Sequence, residues 1–353
     1  MEIFNILKRI ILTGGGTGGH VIPNLALLQS LKEEGFSCHY IGSKQGIEKE
    51  LVKEIPYFGI STGKFRRYIS VQNLKDPFKV VKGVLDALKV MKRINPDLVF
   101  AKGGFVCVPV VLAAKMRKIP VIVHESDITP GLANKIAIPL ASTVCVSFPE
   151  TLQKIGYKAV LTGSPIRNEI LKGDKTKLLF SLKKLPSVLI MGGSTGSLSI
   201  NNAVWSNVET LTKDYNIIHL TGKGKINKEV KAEGYIQLEY ANEEMPHLYD
   251  LADIIVSRAG ANALAEFLAL KIPNLLIPLP KNQSRGDQIE NAKSFKFQGF
   301  SEILEEENIH HLKQHMDYLY ENRLKYKLKM SESPLNNGVF EVMNVIKNTR
   351  KTS

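Results

Sequence analysis

The sequence predicts an α/β protein made of two doubly wound parallel-sheet domains in tandem, and three observations predict it. The chain has 353 residues, room for about two domains of ordinary size. Short uninterrupted apolar runs alternate with helical patterns, as in buried parallel strands joined by crossover helices. The alternation also restarts halfway. Residues 11–19 read Ile-Leu-Thr-Gly-Gly-Gly-Thr-Gly-Gly, and residues 189–196 read Leu-Ile-Met-Gly-Gly-Ser-Thr-Gly. Each is an apolar run, then glycines with a hydroxyl residue, then a helical pattern, so the plain inference is two Rossmann-like domains.

The elements follow in order. Residues 9–12 form a first strand, 14–20 a glycine turn and 23–34 a helix. Further strands are predicted at 37–41, 98–101, 120–123 and 143–146, the last closing the first half. After Pro77, Phe78, Val81, Leu85 and Leu88 recur at helical spacing. Residues 162–186, with Gly163, Pro165, Gly173 and several lysines, supply a linker. A second series of strands runs through 187–191, 216–220, 254–256 and 274–277. Val339, Val342, Met343 and Ile346 mark a last helix.

Composition excludes several classes. With 44% hydrophobic and 23% charged residues the chain is ordinary globular material, not disordered. Cys38, Cys107 and Cys145 are too few and too scattered for a disulfide framework or a zinc site. They lie in apolar, strand-like surroundings, so they read as buried small hydrophobes in a reducing compartment. The apolar stretch near the N-terminus is too short for a signal peptide. The longest uncharged apolar run, residues 105–114, is about half of what a spanning helix needs. The expectation is a soluble protein, or one held at a membrane surface from outside.

The net charge of +13 is uneven. Residues 61–100 hold nine bases (Lys64, Arg66, Arg67, Lys75, Lys79, Lys82, Lys89, Lys92, Arg93) against three acids (Asp76, Asp86, Asp97). A solvated helix face, a nucleic-acid patch and an anionic-membrane patch compete. Phe65, Tyr68 and Phe78 are too few for base stacking, and no nucleic-acid motif is present, so no nucleic-acid partner is expected. A basic amphipathic helix suits an anionic bilayer. The same apolar face suits packing on a sheet.

Glycine turns that open helices present backbone N–H groups and a positive dipole end to phosphate. Neither turn ends in Gly-Lys-Ser/Thr, so neither is a Walker loop. No acid ends the second strand, where residues 37–42 read Ser-Cys-His-Tyr-Ile-Gly, which counts against an NAD oxidoreductase. Other clusters also follow strands: Lys102-Gly103-Gly104, His124-Glu125-Ser126-Asp127, Gly163-Ser164-Pro165-Ile166-Arg167, residues 258–266 and residues 287–292. In the stretch 258–266 small residues open a helix that carries Glu266, a carboxylate suited to ribose hydroxyls.

Taken in this order, the motifs resemble the MurG family of bacterial glycosyltransferases. The resemblance covers residues 11 to about 292. It rests on Gly15-Gly16-Thr17-Gly18-Gly19-His20 with Pro23, His124-Glu125 with Pro130-Gly131-Leu132-Ala133-Asn134, Gly163 with Pro165 and Arg167, and Gly192-Gly193-Ser194 with Gly196. It implies the GT-B fold, two Rossmann-like domains facing across a cleft. The expected division is 1–163, an acceptor and membrane-facing domain, and 164–338, a UDP-sugar domain. A C-terminal helix at about 339–353 is expected to pack back on the first domain.

The implied activity is inverting transfer of N-acetylglucosamine from UDP-N-acetylglucosamine. The acceptor is the 4-hydroxyl of undecaprenyl-pyrophosphoryl-N-acetylmuramyl-pentapeptide, at the cytoplasmic face of the inner membrane, with that anionic surface as a partner. By motif, His20 is the expected base and Glu125 the second catalytic candidate. Thr17, Gly18, Gly19, Asp127, Arg167 and Ser194 fall at substrate positions. Glu266 would hold ribose, with Ala261, Asn262, Ala263, Leu264 and Ala265 along the diphosphate. Gln288 and Asn291 would read the sugar, and the backbone near Ala241 the uracil. No Asp-X-Asp motif occurs, so neither metal nor cofactor is expected. The chain departs from the family pattern at Ser126 and Asp127 (usually Gln-Asn), at Phe105 and Cys107 (usually Tyr and Ser), at Asp287 (usually His), and in a longer loop at 281–286. The readings left open are another UDP-sugar-dependent GT-B transferase and a non-catalytic sugar-nucleotide-binding protein.

Overall fold

The computed structural model describes residues 8–63, 71–193 and 195–349. Lys64, Phe65, Arg66, Arg67, Tyr68, Ile69 and Ser194, all singled out from the sequence, lie outside the described residues, as do the last four residues of the chain. The chain divides into two compact units: Met1–Arg167 with Asn337–Ser353, and Asn168–Asn336.

The first unit holds a seven-stranded sheet: β1 (Lys8–Thr13), β2 (Phe36–Ser43), β3 (Tyr57–Ile60), β4 (Leu98–Ala101), β5 (Val121–Glu125), β6 (Thr143–Val146) and β7 (Ala159–Leu161). Every pairing is parallel, in the order β3-β2-β1-β4-β5-β6-β7. The helices are α1 (Gly18–Ala26), α2 (Leu28–Glu33), α3 (Ile47–Leu51), α4 (Val71–Ile94), α5 (Cys107–Met116), α6 (Leu132–Ala137) and α7 (Pro149–Ile155). Strand side chains alternate between the faces. Ile11, Val99, Val121 and Val144 pack with α4 and α5 on one face, while Ile10, Leu12, Phe100 and Ile122 pack with α1 and α2 on the other. Being apolar on both faces is what made these strands read as continuous runs.

Two expectations change, and a choice left open by the sequence is narrowed. Residues 143–146 are not the last strand of the first half, because β7 follows and pairs with β6. The first helix starts at Gly18, not Pro23, so Gly18, Gly19 and His20 form its first turn, and it is interrupted at Leu27. Thr17, in extended backbone, is its cap. In α4, Leu88 packs on the core, but Phe78, Val81 and Leu85 are 78%, 60% and 54% exposed. The apolar stripe therefore points to solvent, and the core is covered instead by Ala87, Met91 and Ile94.

The second unit repeats the plan with six parallel strands: β8 (Ser187–Met191), β9 (Asn216–Leu220), β10 (Tyr235–Leu238), β11 (Ile254–Ser257), β12 (Asn274–Leu276) and β13 (Ser301–Ile303), in the order β10-β9-β8-β11-β12-β13. Its helices are α8 (Leu198–Leu211), α9 (Met245–Leu251), α10 (Ala261–Leu270), α11 (Asp287–Phe297), α12 (Leu312–Glu321) and α13 (Arg323–Ser331). The chain then returns to the first unit as α14 (Val339–Asn348), whose Val342, Met343 and Ile346 join the apolar layer of α1 and α2.

All three cysteines are free and buried. Burial pushes Cys38 up to about 11 and Cys107 and Cys145 to about 12, so they stay thiols. Among the described residues no helix is long and apolar enough to cross a membrane.

Candidate functional site

In each sheet the strand order reverses once, between β1 and β4 in the first unit and between β8 and β11 in the second. Open α/β sheets place ligands beyond the carboxyl ends of the strands at such a point. Both glycine turns lie there, one after β1 and one after β8.

In the first unit the turn after β1 packs against the turn after β4. Gly104 shows why a side chain is excluded: its φ is +81°, and a Cβ would meet the Gly15 carbonyl oxygen at 2.1 Å. Cys107, where the family pattern has Ser, keeps a hydrogen-bonding role, since its thiol donates to the Gly103 carbonyl at 3.0 Å. His20 leaves the first turn of α1 half-buried, with Nδ1 3.1 Å from the Gly15 carbonyl and 3.1 Å from Thr17 Oγ1. Gly18 beside it has no positive φ and no atom within 4 Å of an added Cβ. Nothing in the fold requires glycine there, and the space in front of it is open.

The turn after β5 is held by Glu125, which is 4% exposed. Oε1 accepts from Asp127 N at 2.9 Å, and Oε2 accepts from Asn134 Nδ2 at 2.9 Å and Gly131 N at 3.2 Å. Burial raises its carboxyl above the usual range. His124 is fully buried, bonds the Gly163 carbonyl at 2.9 Å and is pushed well down by burial, so it is neutral. Lys102, absent from the sequence-based set of site residues, is also buried and donates to Ser126 Oγ. Its ammonium is pushed down to about 8 by burial, against the pull of Glu125 and Asp127. This cation gives a physical account of the Ser126-Asp127 departure: the extra carboxylate faces a buried positive charge.

In the second unit a cavity of about 470 Å³ opens between the turn after β8 and the start of α10. Gly192, Gly193, Gly260, Ala263 and Gln288 line it. At the start of α10 the cap, Gly260, again has ordinary φ and no atom within 4 Å of an added Cβ. The first-turn N–H groups of a helix have no internal carbonyl partner, so this end attracts an anion. Ala261 and Leu264 turn their side chains inward, so contacts along residues 261–265 fall to the backbone and to Asn262, Ala263 and Ala265. Glu266 follows, half-buried, with Tyr249 donating to its Oε2 at 2.7 Å.

Gln288 Oε1 accepts from Leu279 N at 3.1 Å, which leaves its amide NH₂ end as the donor. Asn291 is fully buried and donates to the Ala259 carbonyl, outside the cavity lining. Ala241 sits half-buried in the loop between β10 and α9, and Arg167 ends the first unit.

Sequence reasoning named the stretch around Arg258 but gave that residue no role. It is 6% exposed and lines the cavity. NH2 donates to Ser197 Oγ at 2.7 Å and Ser199 Oγ at 3.0 Å, and NH1 donates to the Ile277 carbonyl at 3.0 Å and to Glu306. Its charge is thus committed to Glu306, while the start of α10 keeps the N–H groups that have no intrahelical carbonyl, and Lys225 donates to the Thr195 carbonyl at 2.8 Å on the cavity's rim.

This arrangement is a pair of Rossmann-like units, each with a glycine turn at its switch point and one with a cavity of about 470 Å³ at a helix end. It is the GT-B architecture of nucleotide-sugar transferases. The chain belongs to glycosyltransferase family 28: the family's N-terminal domain matches residues 10–146 and its C-terminal domain residues 187–346. Proteins of Lachnoclostridium phytofermentans (52% identical, 98% of this chain and 99% of that one) and Lachnospira eligens (53% identical, 98% and 100%) are close to it over their whole length. Both are named UDP-N-acetylglucosamine–N-acetylmuramyl-(pentapeptide) pyrophosphoryl-undecaprenol N-acetylglucosamine transferase. Among solved structures, Acinetobacter baumannii MurG superposes with a TM-score of 0.76 at 26% identity, over 97% of this chain and 100% of that one. A putative UDP-N-acetylglucosamine 2-epimerase from Listeria monocytogenes shares the fold at TM-score 0.68 and 15% identity, over 96% and 95%. The fold alone therefore does not fix the reaction.

Proposed function

We propose that this chain transfers N-acetylglucosamine from UDP-N-acetylglucosamine to the 4-hydroxyl of undecaprenyl-pyrophosphoryl-N-acetylmuramyl-pentapeptide, a step of peptidoglycan synthesis. The observation that carries the reading is the 52% identity, across 98% of the chain, to transferases named for this reaction. The chemistry of the two units supports it.

In this reading the second unit takes the donor. The diphosphate lies at the start of α10 and against the glycine turn after β8, which includes Ser194. Glu266 accepts the ribose hydroxyls, Gln288 donates to the sugar, and the backbone at Ala241 meets the uracil. Thr17, Gly18, Gly19, Asp127 and Arg167 supply the remaining substrate contacts.

The acceptor hydroxyl attacks the anomeric carbon, the bond from that carbon to the UDP oxygen breaks, and configuration inverts. His20 Nε2 takes the hydroxyl proton. Nδ1 faces the Gly15 carbonyl, which only accepts, and the Thr17 hydroxyl, which can accept as well; with Nδ1 as the donor to both, the neutral ring carries its lone pair on Nε2. Glu125 has three donors on its carboxylate and acts instead as the brace of the loop that carries Asp127. Helix-end N–H groups stabilise the departing diphosphate.

The acceptor's lipid tail stays in a bilayer, so the enzyme works at a membrane surface, which we assign to the cytoplasmic leaflet of the inner membrane. The solvent-facing Phe78, Val81 and Leu85 of α4, with exposed Lys79 and Lys82 beside them, suit an anionic interface. Each base contributes about 1 kcal/mol there. The experiment is turnover with the lipid-linked acceptor, following UDP and the lipid-linked product together. UDP release without acceptor, or another sugar transferred, moves the assignment to a different nucleotide-sugar enzyme.

A further inference from the structure

We propose that Glu48 is a positioning residue for His20, acting through the one peptide group that lies between them. The peptide joining Gly15 to Gly16 is hydrogen-bonded at both ends. Its N–H donates to Glu48 Oε2 at 3.1 Å, and its carbonyl accepts from His20 Nδ1 at 3.1 Å. The sequence of groups is carboxylate, amide, imidazole. A negative charge at the N–H end polarises the amide and makes its carbonyl a stronger acceptor. That keeps the proton on Nδ1, presents the Nε2 lone pair, and stabilises the imidazolium once Nε2 has taken a proton. A directly bonded carboxylate does the same for a triad histidine; here one peptide intervenes. The inference rests on the assignment of His20 as base, and its test lets the two fail separately.

The carboxylate is built into this place. Glu48, on the short helix α3, is 1% exposed. Oε1 accepts from Ser43 N at 2.9 Å and from Ser43 Oγ at 2.5 Å. Glycines surround it: a Cβ at Gly15, Gly42 or Gly46 would come within 2.6, 2.8 or 2.3 Å of Glu48 side-chain atoms. Burial alone raises this carboxyl, but the bonds from the Ser43 hydroxyl and from the backbone N–H groups outweigh it and hold it below the usual range. It is therefore ionised at neutral pH. Tyr40 on β2, Tyr57 on β3 and Cys107 on α5 also face it, and burial pushes each of them up, so they stay neutral.

The test is Glu48→Gln in the full-length chain. A carboxamide removes the charge and turns an NH₂ toward groups that themselves donate. We expect kcat to fall about 10–100-fold, the range typical when the hydrogen-bond partner of a metal-bound histidine is lost, with KM for UDP-N-acetylglucosamine unchanged. The acidic limb of the kcat profile should move to lower pH, because an imidazole without a nearby anion loses its proton more readily. In ¹⁵N spectra of histidine-labelled protein, with His20 identified by its loss in His20→Gln, the wild-type ring should be Nδ1-protonated and should shift toward Nε2 in Glu48→Gln. An unmoved limb with an unchanged tautomer overturns the proposal. So does an Nε2-protonated wild-type ring, a result that decides the matter even if Glu48→Gln does not fold. Normal turnover by His20→Gln would instead sink the base assignment, while the tautomer readout still reports on the relay.

Discussion

Tyr249→Phe probes the donor site through the buried partner of Glu266. Tyr249 is 2% exposed, and its hydroxyl bonds Glu266 at 2.7 Å. Its ring meets Phe267 edge-on at 6.0 Å, so deleting the hydroxyl leaves the packing intact. What is lost is one hydrogen bond to a charged group, worth about 1.5–3 kcal/mol. Only part of that reaches the ligand. A half-buried carboxylate without its brace must be immobilised again on binding, at about 0.5–1.5 kcal/mol for a rotamer-rich side chain. Tyr249→Phe should therefore weaken UDP binding about 2- to 12-fold. Glu266→Ala removes the proposed ribose contact, about 1.5–3 kcal/mol, and should weaken binding about 12- to 160-fold. Calorimetric titration of UDP into the full-length protein measures both. With the Tyr249 hydroxyl acting on UDP through Glu266, the double variant should match Glu266→Ala. Additive losses would refute the orienting role, and an unchanged Glu266→Ala affinity would refute the ribose assignment.

Three further outcomes follow from the same structure. His20→Ala should lower kcat about 10²–10⁴-fold with UDP affinity unchanged by calorimetry; a loss confined to KM would make His20 a binding residue. Changing Phe78, Val81 and Leu85 to Gln should reduce co-sedimentation with anionic vesicles more than with neutral ones, and equal binding by both proteins would return the stripe to solvent. Lys102, held near 8 when folded against 10.5 for a free lysine, binds fewer protons folded than unfolded between those values. Wild-type stability in urea should therefore rise from pH 8 toward 10.5 relative to Lys102→Met, and a constant difference would contradict its buried, charge-bearing role.

The central strands were legible because they are apolar on both faces and need no partner to be recognised. The strands that went unread are β3, β7, β10 and β13, the four edges of the two sheets. Each is short: Tyr-Phe-Gly-Ile of β3 and Ala-Val-Leu of β7 are apolar but too brief to stand out, and Gln237 and Glu302 interrupt β10 and β13. The start of α1 was hidden for a related reason. Gly18 and Gly19 are poor helix formers, yet Thr17 caps a helix that begins with them.

At the site, motif residues such as His20, Glu125, Glu266 and Gln288 could be named from local pattern. Their supports could not. Glu48 meets Gly16 across 32 residues, Tyr249 meets Glu266 across 17, and Lys102 meets Ser126 across 24. No spacing rule links such pairs before the sheet order is known. Lys102 left the one faint signal, a lysine directly after an apolar strand and before two glycines. The solvent-facing stripe of α4 was visible as a helix face, but its direction depended on which side Ala87 and Met91 would take.

The central claim is that one chain joins a UDP-sugar to a lipid-linked acceptor. The most direct measurement supplies the full-length protein with UDP-N-acetylglucosamine and undecaprenyl-pyrophosphoryl-N-acetylmuramyl-pentapeptide in anionic vesicles. UDP release and the lipid-linked product are followed together by mass spectrometry. The account predicts release only when both substrates are present, one lipid-linked disaccharide per UDP, and inverted configuration at the transferred anomeric carbon. UDP release without acceptor, a retained anomeric configuration, or an acceptor that stays a monosaccharide would contradict it.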